Sequence, residues 1–147
     1  MSGLRVSHIG ICVSDWKRSL RFYSDLLGFR YVREIELTGE PAATLLQLDG
    51  VAFRAIYIER EGLRIELLHY DEPPAHSGPT PRPMNQLGFT HLSLRVDDLD
   101  ASLERFAAAG VEVLEQTRIG IPEANTNAVF IADPDGTLIE LMQQPGD

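Results

Sequence analysis

The sequence carries the same short pattern twice, and a chain built from a repeated unit has to fold as two similar modules. Near the N-terminus stands Val6-Ser-His8-Ile-Gly-Ile-Cys12-Val13, and later Phe89-Thr-His91-Leu-Ser-Leu-Arg95-Val96. Placing His91 on His8, an offset of 83 residues (91 − 8), brings Leu92, Leu94 and Val96 onto Ile9, Ile11 and Val13. A second match joins Gly62-Leu-Arg-Ile-Glu66-Leu-Leu68 to Gly136-Thr-Leu-Ile-Glu140-Leu-Met142, at an offset of 74 (140 − 66). Each half therefore holds one histidine early and one glutamate late.

The segments between these anchors repeat as well. Residues 5–13 alternate so that Ile9, Ile11 and Val13 share one face of a strand, and His8, Gly10 and Cys12 the other. Ser14 reads as an N-cap of a helix over Asp15 to Leu27, with Trp16, Leu20, Tyr23 and Leu27 at three- and four-residue steps and Gly28 as its stop. Strand-like runs follow at 29–37, 51–60 and 63–70, the last two joined by a tight Glu61-Gly62 turn. The insertion Thr38 to Gly50 breaks the periodicity with Gly39, Pro41 and Gly50, and reads either as a short helix lying over a cavity or as a long loop. Residues 71–88 hold five prolines and little apolar content, the mark of a linker. The second half repeats the plan: a strand over 89–96, a helix from Leu99 to Ala109 started by Asp97 or Asp98 and stopped by Gly110, and strands near 111–115, 126–132 and 137–143. Asp133-Pro-Asp-Gly136 makes the final hairpin turn. The expected fold class is α+β, with a first βαβββ module over 1–70, the linker 71–88 and a second module over 89–147 in one domain.

Composition narrows the function. With 13 Lys plus Arg against 22 Asp plus Glu and no basic run, the chain is a poor partner for nucleic acid. No apolar run reaches the roughly 20 residues of a bilayer span, the N-terminus has no export signal, and the single cysteine, Cys12, allows no disulfide framework. A cytoplasmic protein acting on a small molecule is the expectation.

Parity then gathers the chemistry. If Ile9, Leu92, Ile65 and Ile139 pack under the helices, then His8, His91, Glu66 and Glu140 all point to the helix-free face. Two imidazoles and two carboxylates on one polar floor suit a divalent first-row metal, with positions left for substrate or water. Zn, Ni, Co, Mn and Fe(II) all accept such ligands. Arg64, Ser93 and Arg95 share that parity and are candidate binders of a substrate carboxylate or phosphate. His69 has the opposite parity and His76 lies in the linker, so both read as solvated or locally bonded. Cys12 reads as a small buried thiol. Trp16, Phe22, Tyr23 and Phe106 read as helix packing.

These matches resemble the vicinal oxygen chelate superfamily, which includes glyoxalase I, methylmalonyl-CoA epimerase, extradiol ring-cleaving dioxygenases and bleomycin- or fosfomycin-resistance proteins. The resemblance rests on His8-Ile-Gly-Ile-Cys-Val, Ser19-Leu-Arg-Phe22-Tyr23, Leu27-Gly28-Phe29, Ile65-Glu66-Leu-Leu, His91-Leu-Ser-Leu-Arg-Val-Asp-Asp and Asp133-Pro-Asp-Gly136-Thr-Leu-Ile-Glu140, and spans nearly the whole chain. It implies paired βαβββ modules whose curved mixed sheet encloses a metal cavity with helices outside. By the same resemblance His8, Glu66, His91 and Glu140 are the metal ligands, and by the symmetry of the repeat Glu66 and Glu140 would flank the metal as the candidate bases. The site would be built within one chain or across a homodimer with exchanged modules. Glyoxalase- or epimerase-like chemistry is implied first. A ring-cleaving dioxygenase, using His8, His91 and Glu140, is the alternative, but Phe130 stands where that motif carries a Tyr and 119–127 contains no His. A drug-binding resistance protein is the third reading.

Overall fold

The computed structural model describes residues 3–80 and 82–146, in two units, Met1–Ser77 and Gly78–Asp147. Residues 1, 2, 81 and 147, at the ends of the expected modules and within the expected linker, lie outside the described residues. Each unit has the βαβββ plan, and the first adds a short helix.

In the first unit, β1 (Ile9–Cys12), α1 (Trp16–Arg21), β2 (Arg30–Thr38), α2 (Ala42–Leu46), β3 (Ala52–Arg60) and β4 (Leu63–Glu72) follow in order. The strands form one mixed sheet in the order β1-β4-β3-β2, with β1 parallel to β4 and the other pairs antiparallel. β1 is shorter than its alternating sequence suggested, its pairing with β4 running from Ile9↔Ile65 to Cys12↔Leu68. His8 therefore sits just before the strand.

The two faces of this sheet have different covers. Ile65, Leu67, Ile56 and Ile58 are buried on one face together with Val13, Phe22, Tyr23 and Leu27. Arg54 shares the parity of Ile56, and its guanidinium lies 4.6 Å from the Trp16 ring of α1, which identifies that face as the helix side. On the other face α2 and its flanks cover part of β3, with Ala42, Ala43, Leu46 and Leu48 packed against Val51, Phe53, Ala55 and Tyr57. The insertion after β2 is thus a short helix held by apolar burial.

Local chemistry explains the ends of α1. Asp15, not Ser14, is the N-cap: its carboxylate accepts the Arg18 amide at 3.0 Å, while Ser14 Oγ accepts the Arg18 guanidinium at 3.0 Å. That amide bond also holds the Asp15 carboxyl below the usual carboxylate range. The expected single helix changes pitch at Phe22, continuing as a π-helical turn over Phe22–Leu26. The wider turn lets two consecutive aromatics, Phe22 and Tyr23, both reach the core. Gly28 ends it at φ +76°, where a Cβ would come within 2.8 Å of the Arg60 guanidinium. The Glu61-Gly62 turn, with φ of +50° and +83°, closes the β3–β4 hairpin.

The second unit runs β5 (Leu92–Arg95), α3 (Leu99–Ala108), β6 (Glu112–Ile121), β7 (Thr126–Ala132) and β8 (Leu138–Gln143). Its sheet has the matching order β5-β8-β7-β6, with β5 parallel to β8. β6 extends six residues beyond the expected 111–115, because the β6–β7 pairing resumes at Ile119 after an irregularity past Leu114. Thr117 spans that gap, its hydroxyl donating to the Leu114 carbonyl at 2.7 Å and accepting the Phe130 amide at 2.9 Å. Leu99, Leu103 and Phe106 form the buried stripe of α3. In the last turn the buried Asp133 carboxylate accepts the amides of Asp135 at 2.9 Å and Thr137 at 2.8 Å. Among the described residues no helix is long and apolar enough to cross a membrane.

Of the two candidate caps of α3, Asp98 accepts the Ala101 amide at 2.9 Å. Asp98→Ala should lower unfolding free energy by about 1 kcal/mol in urea titrations, whereas Asp97→Ala should change it by less than about 0.5 kcal/mol.

Candidate functional site

On the face of the first sheet opposite α1, the register lines up Arg33, Tyr57, Glu66 and Gly10 across all four strands. His8 extends this row from the loop before β1, with Nε2 3.1 Å from Glu66 Oε2. The other carboxylate oxygen, Oε1, accepts the Tyr57 hydroxyl at 2.6 Å. The Tyr57 ring also packs edge-on against the His8 imidazole, centroids 5.4 Å apart. His8 Nδ1 lies 2.8 Å from the Ser7 hydroxyl. Each polar atom of the pair thus has an assigned partner. Glu66 is held at both oxygens, and its side chain is only 14% exposed. Burial pushes the Tyr57 phenol above its ordinary range, and donation to Glu66 pushes it further. The exposed Arg33 guanidinium lies 4.3 Å above the Tyr57 ring, a cation–π contact that fixes a positive charge beside the pair.

The second unit builds the same pair from different parts. Its register lines up Leu114, Phe130, Glu140 and Ser93. His91 Nε2 stands 3.9 Å from Glu140 Oε1, and Oε1 accepts the Ser93 hydroxyl at 2.6 Å. His91 packs edge-on against Phe130 at 5.2 Å, and its Nδ1 lies 2.8 Å from the Thr90 hydroxyl.

This donor set fits a divalent cation. Donors at about 2.1 Å in adjacent octahedral positions stand about 3.0 Å apart, and the His8–Glu66 separation of 3.1 Å is already at that value. The His91–Glu140 separation of 3.9 Å needs a small inward movement. With a metal on Nε2, Nδ1 would carry the proton and donate it to Ser7 or Thr90, which lie 2.8 Å away, the outer bond that metal-ligating histidines commonly make. Each unit thus brings together its own His and Glu, and among the described residues no group of three or more His, Cys, Asp or Glu forms.

The remaining expectations divide. Ser93 lies on Glu140, as its parity required. Arg64 shares the parity of Glu66 but is committed to Glu59, bonded at 2.8 and 3.2 Å. Arg95 is exposed on β5. His69 sits on the face opposite Glu66, opposed to Arg54 and 3.4 Å from Asp71, and His76 is exposed. Cys12 is exposed rather than buried, because α1 covers the other face of β1. Trp16 is only half-buried, its ring turned to Arg54 at the sheet surface. Tyr57, Arg33, Ser7 and Thr90 were missed by sequence reasoning. The hydroxyl residues immediately before both histidines were the available signal.

Comparison with known proteins agrees with this fold. Residues 5–141 match the model of the Glyoxalase/Bleomycin resistance protein/Dioxygenase superfamily. The chain is 33% identical to a lactoylglutathione lyase of Pseudomonas aeruginosa, over 93% of this chain and 81% of that protein. It is 31% identical to a probable lactoylglutathione lyase of Vibrio parahaemolyticus, over 97% of this chain and 93% of that protein. A glyoxalase family protein of Bacillus cereus has the same fold, with a TM-score of 0.83, 22% identity and 99% of each chain covered. With its duplicated βαβββ units and its repeated His–Glu pairs, the chain belongs to the glyoxalase/bleomycin resistance protein/dioxygenase superfamily, the vicinal oxygen chelate proteins.

Proposed function

We propose that the chain is a metal-dependent enzyme of glyoxalase or epimerase type, which abstracts a proton next to a carbonyl of a small molecule that chelates the metal through two oxygens. His8, Glu66, His91 and Glu140 would hold one divalent ion, of Zn, Ni, Co, Mn or Fe(II), either within one chain or across a homodimer with exchanged modules. The observation that carries this reading is the repeat of one N,O donor pair in both units, each imidazole with its Nδ1 engaged by a hydroxyl and each carboxylate with one oxygen hydrogen-bonded. The relatives named lactoylglutathione lyase support the same class.

A bound divalent ion supplies Lewis-acid polarisation of the chelating oxygens, which acidifies the neighbouring C–H. The chain does the rest. Glu140 or Glu66 takes that proton while the C–H electron pair moves to the carbonyl oxygen, and the same or the opposite carboxylate returns the proton to carbon. Arg33, held on the Tyr57 ring, supplies a cation for an anionic group of the substrate. Arg64 is less suited, since Glu59 already neutralises it. Phe130 packs on His91 at the position where the ring-cleaving motif has a tyrosine, which supports proton transfer over oxygen chemistry.

Metal analysis of the purified chain should find one divalent ion per site. His91→Ala should remove most of it and His69→Ala none; full occupancy in His91→Ala would overturn the ligand assignment. With a chelating 2-hydroxycarbonyl, 2-oxo or acyl-thioester substrate, the protein should exchange solvent deuterium into the carbon beside the carbonyl without consuming O2. Glu140→Gln should reduce that exchange by about 10²- to 10⁴-fold, beyond its loss of metal. O2-dependent opening of a catechol by the Fe(II) form would instead establish the dioxygenase, and metal-independent ligand binding without turnover the resistance protein. Arg33→Ala should raise KM for an anionic substrate by about tenfold, roughly 1.4 kcal/mol, with kcat little changed.

A further inference from the structure

The two carboxylates receive the same hydrogen bond from opposite sides. Glu66 on β4 accepts a hydroxyl at 2.6 Å from Tyr57 on β3. Glu140 on β8 accepts a hydroxyl at 2.6 Å from Ser93 on β5. In the register of the second unit the place of Tyr57 is taken by Phe130, which keeps the ring against its histidine and lacks the hydroxyl. In the first unit the place of Ser93 is taken by Gly10. Each unit thus has one hydroxyl and one aromatic ring, with the hydroxyl on the ring in the first and on the edge strand in the second.

We propose that Tyr57 and Ser93 are interchangeable positioning residues: each holds one oxygen of the adjacent glutamate so that the carboxylate stays turned toward its histidine and the metal. The proposal rests on the metal reading above. It explains why neither unit carries both hydroxyls, since a single donor fixes the torsion of a carboxylate. In the first unit the two oxygens divide, with Oε1 on Tyr57 and Oε2 beside His8 Nε2; in the second, Oε1 both accepts from Ser93 and is the oxygen 3.9 Å from His91 Nε2.

The fold permits the exchange. Gly10 is not among the positive-φ residues, and a Cβ there would meet Leu68 Cδ1 at 3.5 Å and Glu66 Oε2 at 3.9 Å, ordinary contact distances. A serine hydroxyl at that position, one bond further out, reaches the carboxylate as Ser93 reaches Glu140. The test is a rescue. In the full chain, Tyr57→Phe should weaken Co(II) affinity by about tenfold, the lower end of what outer hydrogen-bond partners contribute. Gly10→Ser added to Tyr57→Phe should restore affinity to within about threefold of the parent, although the phenol is still missing. The mirror pair is Ser93→Ala, weaker, and Ser93→Ala with Phe130→Tyr, restored. Metal-free crystal structures of the same four variants supply a second readout: the carboxylate should leave its place in each single variant and return in each double variant.

Unchanged Co(II) affinity and an unchanged Glu66 position in Tyr57→Phe would overturn the proposal, as would double variants that fold yet match their single variants in both readouts. A parent chain that binds no Co(II) would overturn the metal reading alone, because the carboxylate positions in the metal-free crystals would still decide whether the hydroxyls are exchangeable.

Discussion

The parallel pairing of each edge strand with its unit's last strand is the constraint on which the rest depends. β1 against β4 sets Gly10 opposite Glu66, and β5 against β8 sets Ser93 opposite Glu140. Because side chains alternate, a slip of one residue by β4 or β8 against its neighbours would turn Glu66 or Glu140 under the helices and bring Ile65 or Ile139 out to solvent. Both isoleucines are essentially fully buried. The free energy that fixes the register therefore comes from aliphatic burial on one face, while the chemistry it positions lies on the other. Core and site are two sides of the same four-residue pairing.

The halves are alike in backbone and differ in what covers the site face. In the first unit α2 brings Ala42 and Leu46 over Phe53, Ala55 and Tyr57, and Arg33 adds a positive charge at the end of the row. In the second unit the corresponding row ends in Leu114, an apolar group. A pair of similar half-sites is thus placed in unlike surroundings, one amphipathic and cationic, the other mainly apolar.

The alternating pattern of Ile9, Ile11 and Val13 and of Ile65 and Leu67 was legible because only one face of those stretches is buried. The same reasoning put His8, Glu66, His91 and Glu140 on the helix-free faces and located the hairpin turns and the packing of Phe106. Tyr57 was not legible for the opposite reason. α1 covers one side of β3 and α2 the other, so 53 and 55–58 are all buried and no alternation marks which residues face the site. The length of β6 was hidden because Thr117 replaces a ladder bond with its side chain, and polar residues in the irregular stretch broke the strand pattern. The choice of Asp15 over Ser14 turned on which acceptor stands three residues before an unpaired amide, a matter of one residue that periodicity does not resolve. Cys12 follows from parity once α1 is assigned to one face. The expectation of burial rested on the residue type alone.

A carboxylate side chain only 14–20% exposed, as in Glu66 and Glu140, carries a desolvation cost unless its oxygens are engaged. One hydroxyl donor and the neighbouring imidazole meet that need, and the sheet offers two neighbouring strands from which a donor can come. The constraint falls on the acceptor: the glutamate has to be satisfied, and the strand that supplies the hydroxyl is free to vary. The aromatic ring beside the histidine has no such freedom, because edge-on packing at 5.2–5.4 Å depends on where the β3 or β7 backbone passes. That difference explains why both units keep the ring and only one keeps its hydroxyl. Shape complementarity fixes a position in the sheet, whereas a hydrogen bond to a charged oxygen fixes only a distance and an angle, which either neighbour satisfies.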